Sequence, residues 1–149
     1  MTTATNSAEI NSWTPDAELA FGSLGVGQNF TADGTLLDGG SDAVIDFGVG
    51  GAVMPLFLVD VSVLDTTSGN ETYEVIVDFA SDLAFSSDVM SYKLTVTRVG
   101  RYFLPTANRA PDSNGLQQTL QYARARVDVG GTTPSITLAV YGVKSPNFG

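Results

Sequence analysis

The sequence predicts an all-β protein: an antiparallel β-sandwich of about eight strands, wound as a jelly roll and preceded by an extended N-terminal arm. Three observations point there. Apolar residues recur at every second position in several segments, which is the period of a strand with one buried face. Sixteen glycines, many in pairs or beside Asp and Asn, break these segments at short intervals. No stretch sustains the 3.6-residue period of an amphipathic helix.

Residues 1–18 are rich in Thr, Ser, Asn and Ala, with Trp13 as the one large aromatic, and read as an arm or loosely held edge segment. Residues 19–149 then form a single β-sandwich domain, with no repeat or linker. From 19 to 51, nine glycines separate short apolar pieces, so this part reads as brief strands joined by turns. Leu56 to Leu64 is the strongest strand, with Phe57, Val59, Val61 and Val63 expected on one face. Thr66-Thr67-Ser68-Gly69-Asn70 supplies turn chemistry, and Thr72 to Phe79 repeats the alternation, so the two strands are expected to pair as a hairpin. Ser81 to Val89 is a polar connection whose Leu83 and Phe85 would plug the sandwich edge. Tyr92, Leu94 and Val96 mark the next strand, and Gly100 divides it from Arg101-Tyr102-Phe103-Leu104-Pro105. Residues 106–118 are expected to be the longest loop, and exposed. Leu116 to Arg126 has helix-favouring composition, but alternation running on to Val129 selects a strand. After Gly130-Gly131-Thr132-Thr133-Pro134, Ser135 to Val143 closes the domain as a last strand.

With 43% hydrophobic and 15% charged residues, the chain can bury a core. No apolar run approaches a membrane span, and Met1-Thr2-Thr3-Ala4-Thr5-Asn6 lacks the basic start and apolar stretch of a secretion signal. Neither a membrane nor a secretory route is therefore expected. There is no Cys and no His, which removes thiol nucleophiles, disulfides, the usual zinc sites and the common neutral-pH proton shuttle. A His-based triad is excluded, and any catalysis would rest on carboxylates or on Lys93 and Lys144 as bases, so a non-enzymatic protein without cofactor is expected. Asp33, Asp38, Asp42 and Asp46 with their glycines could wrap a hard cation, but match no calcium loop, and read as turn residues with no metal.

A net charge of −9 disfavours nucleic acid. Its distribution is polar along the chain: residues 1–92 carry fourteen acids and no base, while all seven bases follow from Lys93 onward. Either strands of the two halves interleave and pair opposite charges, or an acidic surface of one copy meets a basic surface of another molecule. Five of the seven bases are arginines, the residue that favours bidentate carboxylate contacts and interfaces. Arg98, Arg101, Arg109, Arg124 and Arg126, with Tyr102, Phe103 and Tyr122 near them in sequence, are the interface candidates, and Trp13 is an anchor carried by the arm.

The segments Asp42 to Gly48, Pro55 to Val63, Gly100 to Pro105 and Tyr122 to Val129, with the Gly-Thr-Pro turn into a final strand, together resemble the head decoration, or cement, proteins of tailed bacteriophages. The resemblance spans roughly residues 42–144 and involves no catalytic motif. It implies a jelly-roll virion protein on the outer capsid surface, where a homo-oligomer, dimer or trimer, bridges copies of the major capsid protein and strengthens the shell through multivalent attachment. A β-sandwich module of a phage fibre or cell-surface protein, binding carbohydrate or a receptor through Trp13, Tyr92 or Tyr122, is the alternative.

Overall fold

The structure, a computed structural model, describes residues 14–144 and the side chains of residues 17–143. Trp13 and most of the expected arm lie outside the described residues. Among the described residues fourteen strands follow one another: β1 (Thr14–Ala20), β2 (Gln28–Phe30), β3 (Gly34–Thr35), β4 (Leu37–Asp38), β5 (Ser41–Asp42), β6 (Ile45–Asp46), β7 (Leu56–Leu64), β8 (Thr72–Ala80), β9 (Met90–Thr95), β10 (Gly100–Pro105), β11 (Arg109–Pro111), β12 (Gln117–Thr119), β13 (Tyr122–Gly130) and β14 (Ile136–Lys144). No helix occurs among the described residues.

The strands form an antiparallel β-sandwich. One sheet runs β1-β14-β7-β10, with β2 also on β14; the other runs β3-β13-β8-β9, with β6 also on β13. The chain changes sheet at residues 31–33, 47–55, 65–71, 96–99, 106–121 and 131–135. The expected hairpin between β7 and β8 is therefore not present: β7 pairs with β14 and β10, and β8 with β13 and β9. Both strands carry a fully apolar inward face, Phe57, Val59 and Val61 on one and Tyr73, Val75, Val77 and Phe79 on the other. Placing them in opposite sheets lets those faces share one core, so the turn between them arches across the sandwich. Buried Tyr73 ties this arch down, its hydroxyl donating to the Asp65 carbonyl and accepting from the Ser135 amide.

Alternation fails at one point in β7. Thr137 of β14 faces Val63, but Leu138 faces Val61, so Ser62 is an extra residue in a bulge. A bulge shifts the two-residue period by one. Val63, expected in the core, is thus 48% exposed, and Leu64 packs against the core instead. On β13, Ala123, Ala125 and Val127 face inward as expected, and each stands beside a bulkier or equal neighbour on β8: Phe79, Val77 and Val75. Phe21 and Phe57 meet with ring centroids 5.2 Å apart. Residues 14–18 belong to β1, an edge strand whose fit on β14 depends on Gly142: a Cβ there would stand 2.6 Å from the Leu19 Cβ.

The 106–118 segment is not a simple exposed loop. It holds the small β11–β12 hairpin, and its base is buried through Thr106, Asn108 and Ala110 while Ser113 to Leu116 stay exposed. Leu83 is 63% exposed and plugs nothing, and Phe85, though buried, joins neither apolar cluster and lies over Arg124 instead of plugging the sandwich edge.

Candidate binding surfaces

The outward face of the second sheet carries a buried ionic cluster. In the middle of β8 the outward side chains Ile76 and Asp78 are fully covered, while Glu74 and Thr72 toward its start reach solvent. Registered pairing puts Arg124 opposite Asp78, and both Arg124 Nε and Arg126 Nε donate to Asp78 Oδ2, at 3.0 and 2.8 Å. Ser91 on β9 donates its hydroxyl to Asp78 Oδ1 at 2.6 Å, and Arg126 also reaches Asp128 at 3.4 Å. Burial pushes the Asp78 carboxyl up, but the hydrogen bonds from Arg126, Ser91 and Arg124 outweigh it and hold the group below its ordinary value. Those same bonds hold the Arg126 guanidinium above its usual value.

The loop 81–89 folds over this cluster. The Arg124 guanidinium carbon lies 4.4 Å from the Phe85 ring centroid, a cation–π contact. Phe85 takes a left-handed backbone with φ +53°, and Asp88 does so with φ +55°. Asp82 holds the turn: its Oδ1 accepts from the Ser86 and Ser87 amides, and Oδ2 accepts the Ser86 hydroxyl at 2.6 Å. The two arginines are thus committed within the chain.

The outward face of the first sheet is different. Leu58, Ala139 and Tyr141 form a small apolar cluster flanked by Ala20 and Val143, with Phe103 of β10 beside Leu58 in register and 55% exposed. Arg101 of β10 faces Asp60 of β7 at 3.7 Å, with both side chains substantially in solvent. Burial, and then the Asp60 charge, raise the Tyr141 hydroxyl above its ordinary pKa, with Arg101 opposing. Tyr102 points the other way, packing on the core while its hydroxyl donates to the Arg98 carbonyl at 2.7 Å.

The two loop ends of the sandwich also contrast. At one, Leu64, Tyr73, Val96 and Val129 with Thr66, Thr95 and Thr97 line a cleft of about 430 Å³ that contains Glu71, Glu74 and Asp128 but no base. At the other, the fully buried Asn108 joins two long connections. Its backbone amide donates to Val53 O, its Oδ1 accepts from Val53 N, and its Nδ2 donates to Gly51 O and Leu120 O. Thr106 adds two bonds to Pro55 O. Beside this clamp is a second cleft of about 470 Å³ lined by Val49, Gly50, Ser81, Arg109 and the Gln117–Gln121 region, with no acid in its wall.

The residues singled out in sequence therefore do not share one face. Arg101 and Phe103 lie on the first sheet, Tyr122, Arg124 and Arg126 on the second, Arg109 at the Asn108 end, and Arg98 near the opposite end. Three of the four ion pairs among the described residues join an acid before residue 92 to a base after it, so strand interleaving absorbs part of the charge polarity. Lys93, Arg98 and Arg109 make no ion pair among the described residues. Tyr92, considered as a stacking platform, sets its ring edge-on to Phe79 at 5.8 Å and bonds Ala107 through its hydroxyl. Asp33 and Asp46 are structural, accepting from Val129 N and from Gly48 N and Gln121 Nε2. No group of three metal-ligating side chains gathers among the described residues.

Sequence reasoning missed Asp78, Asn108 and Gln118. The alternation of Arg124 and Arg126 across from an outward acid was a usable signal for Asp78. Nothing local marks Asn108, whose partners lie 12 to 57 residues away. No family model matches the chain, and no curated protein or solved structure matches it either.

Proposed function

We propose that this protein is a non-enzymatic structural component of a phage virion that binds the outer surface of the capsid and bridges neighbouring copies of the major capsid protein. The observation that carries the reading is strand order. Taking β1, β3, β7, β8, β9, β10, β13 and β14 as the eight principal strands in sequence, the sheets run first-eighth-third-sixth and second-seventh-fourth-fifth. That winding supports a jelly roll, an architecture that recurs in viral shells and in lectins. Function is not implied by architecture alone. Within that pair the surface favours the shell. Tyr92 is engaged internally, and among the described residues neither cleft is lined by an exposed aromatic on which a sugar ring could stack, the exposed Phe103 lying on the open face of the first sheet.

Titration of the purified protein onto undecorated capsids from the same source, read by co-sedimentation, tests the proposal. Saturable binding at a stoichiometry fixed by the icosahedral lattice is expected. Retention on a polysaccharide matrix without capsid binding would replace it with the carbohydrate or receptor module.

A further inference from the structure

We infer that the Asn108 end of the sandwich is a docking platform for a protein partner that inserts an aspartate or glutamate side chain into the cleft beside Arg109. This deepens the capsid reading, and rests on it only for the partner being a protein.

The cleft wall combines one cation with neutral amides and hydroxyls that can all donate. Arg109, Gln117, Gln118, Thr119 and Gln121 line it, and among the described residues no carboxylate does. In a chain with net charge −9, Arg109 is an exposed cation without an acidic partner among the described residues. Gln118 Nε2 is shielded from solvent and meets no acceptor. A shielded amide donor without a partner is costly, so the half-buried Gln118 side chain gains by turning outward to an acceptor brought into the cleft. Two acids outside the wall accept from its side chains, Asp46 from Gln121 Nε2 at 3.0 Å and Asp88 from Ser81 Oγ at 3.4 Å, so both are already engaged. Guanidinium and amide donors together suit a carboxylate, which accepts at both oxygens. The loops that frame the cleft also carry apolar side chains into solvent: Val49 is 92% exposed, Met54 81%, Leu83 63% and Leu116 67%. A polar anchor pocket ringed by apolar contacts is the anatomy of a protein interface, and the Asn108 clamp presets two of these loops before binding.

Two measurements on the full chain test this. The first follows the Gln118 side-chain amide by NMR while N-acetylglutamate is added, with N-acetylglutamine and glucuronate in parallel, both amino-acid probes being α-methylamides so that the glutamate side chain carries their one carboxylate. A saturable shift with N-acetylglutamate, absent with N-acetylglutamine and weakened about tenfold by Arg109→Gln, is expected from loss of a charge-assisted bond. An equal shift with N-acetylglutamine, or no shift, overturns the carboxylate site. Tighter binding of glucuronate overturns the protein partner in favour of an acidic sugar. The second compares capsid occupancy of the wild type with Arg109→Glu and Leu116→Ser. Loss by both variants, with unchanged melting temperatures, is expected. If the wild type binds and both variants bind equally well, the platform is wrong while the capsid reading stands. If the wild type itself fails to bind, the capsid reading falls, and the titration alone decides the cleft.

Discussion

Asp78 Oδ2 stands 2.8 Å from Arg126 Nε, and the same oxygen takes Arg124 Nε at 3.0 Å, so one covered carboxylate locks two arginines onto the outside of β13. The lock joins the acidic and basic halves of the chain across the β8–β13 pair. Removing the acid leaves two half-buried cations facing each other. Asp78→Ala is expected to cost about 1–3 kcal/mol, less than a deeply buried pair because both guanidinium groups keep partial access to water. Chemical denaturation with unchanged m-value checks it.

The same carboxylate sets a pH dependence. Its pKa is lower folded than unfolded, so its contribution is complete above the unfolded value of about 3.8 and declines as pH falls through the lower folded value. Wild-type stability should therefore drop on acidification below about pH 4, and Asp78→Asn should flatten that drop. Equal acid sensitivity of the two proteins would assign it to other carboxylates. Asp82, also held low by its Ser86 bonds, is the first of those to test.

Phe85 holds its loop by an unusual combination: a left-handed backbone, a buried ring and the Arg124 guanidinium 4.4 Å from its centroid. Phe85→Ala keeps the backbone demand and removes what offsets it. A loss of about 2–4 kcal/mol is expected, with faster amide exchange confined to residues 81–89.

The Ser62 bulge separates two valines that sequence alternation places together. Val61→Ala should cost about 1.5–3 kcal/mol by leaving a cavity between the sheets, whereas Val63→Ala, on a half-exposed side chain, should cost less than about 0.5. Thermal melts of the pair read the register of β7 directly.

Asn108→Ala removes acceptors from one amide and donors from two carbonyls at a fully buried site. A loss of about 2–4 kcal/mol is expected, together with increased exchange at residues 49–54. Asn108→Asp should be comparably damaging, since it places a charge where Gly51 O and Leu120 O need a donor.

Strand content was legible because alternation is local: β7, β8, β13 and β14 follow from apolar residues two apart. Partner choice was not, because it depends on which apolar faces oppose each other. The 65–71 segment has the chemistry of a hairpin turn and serves as an arch between sheets. Val63 was misassigned for a related reason, since a bulge is fixed by the neighbouring strand and leaves no mark in its own sequence. Among the interface candidates, residue type was informative but direction was not. Arg124 and Arg126 turn to a covered acid, while Arg109, the same residue on a short hairpin, faces an acid-free cleft.

The most direct measurement of the proposed role is the disruption temperature of DNA-filled capsids stripped of this protein and then resaturated with it. A bridging protein engages several subunits at once, so resaturation should raise that temperature and Arg109→Glu should leave it near the stripped value. Full occupancy with no rise would contradict the account, because attachment would then add nothing to the shell.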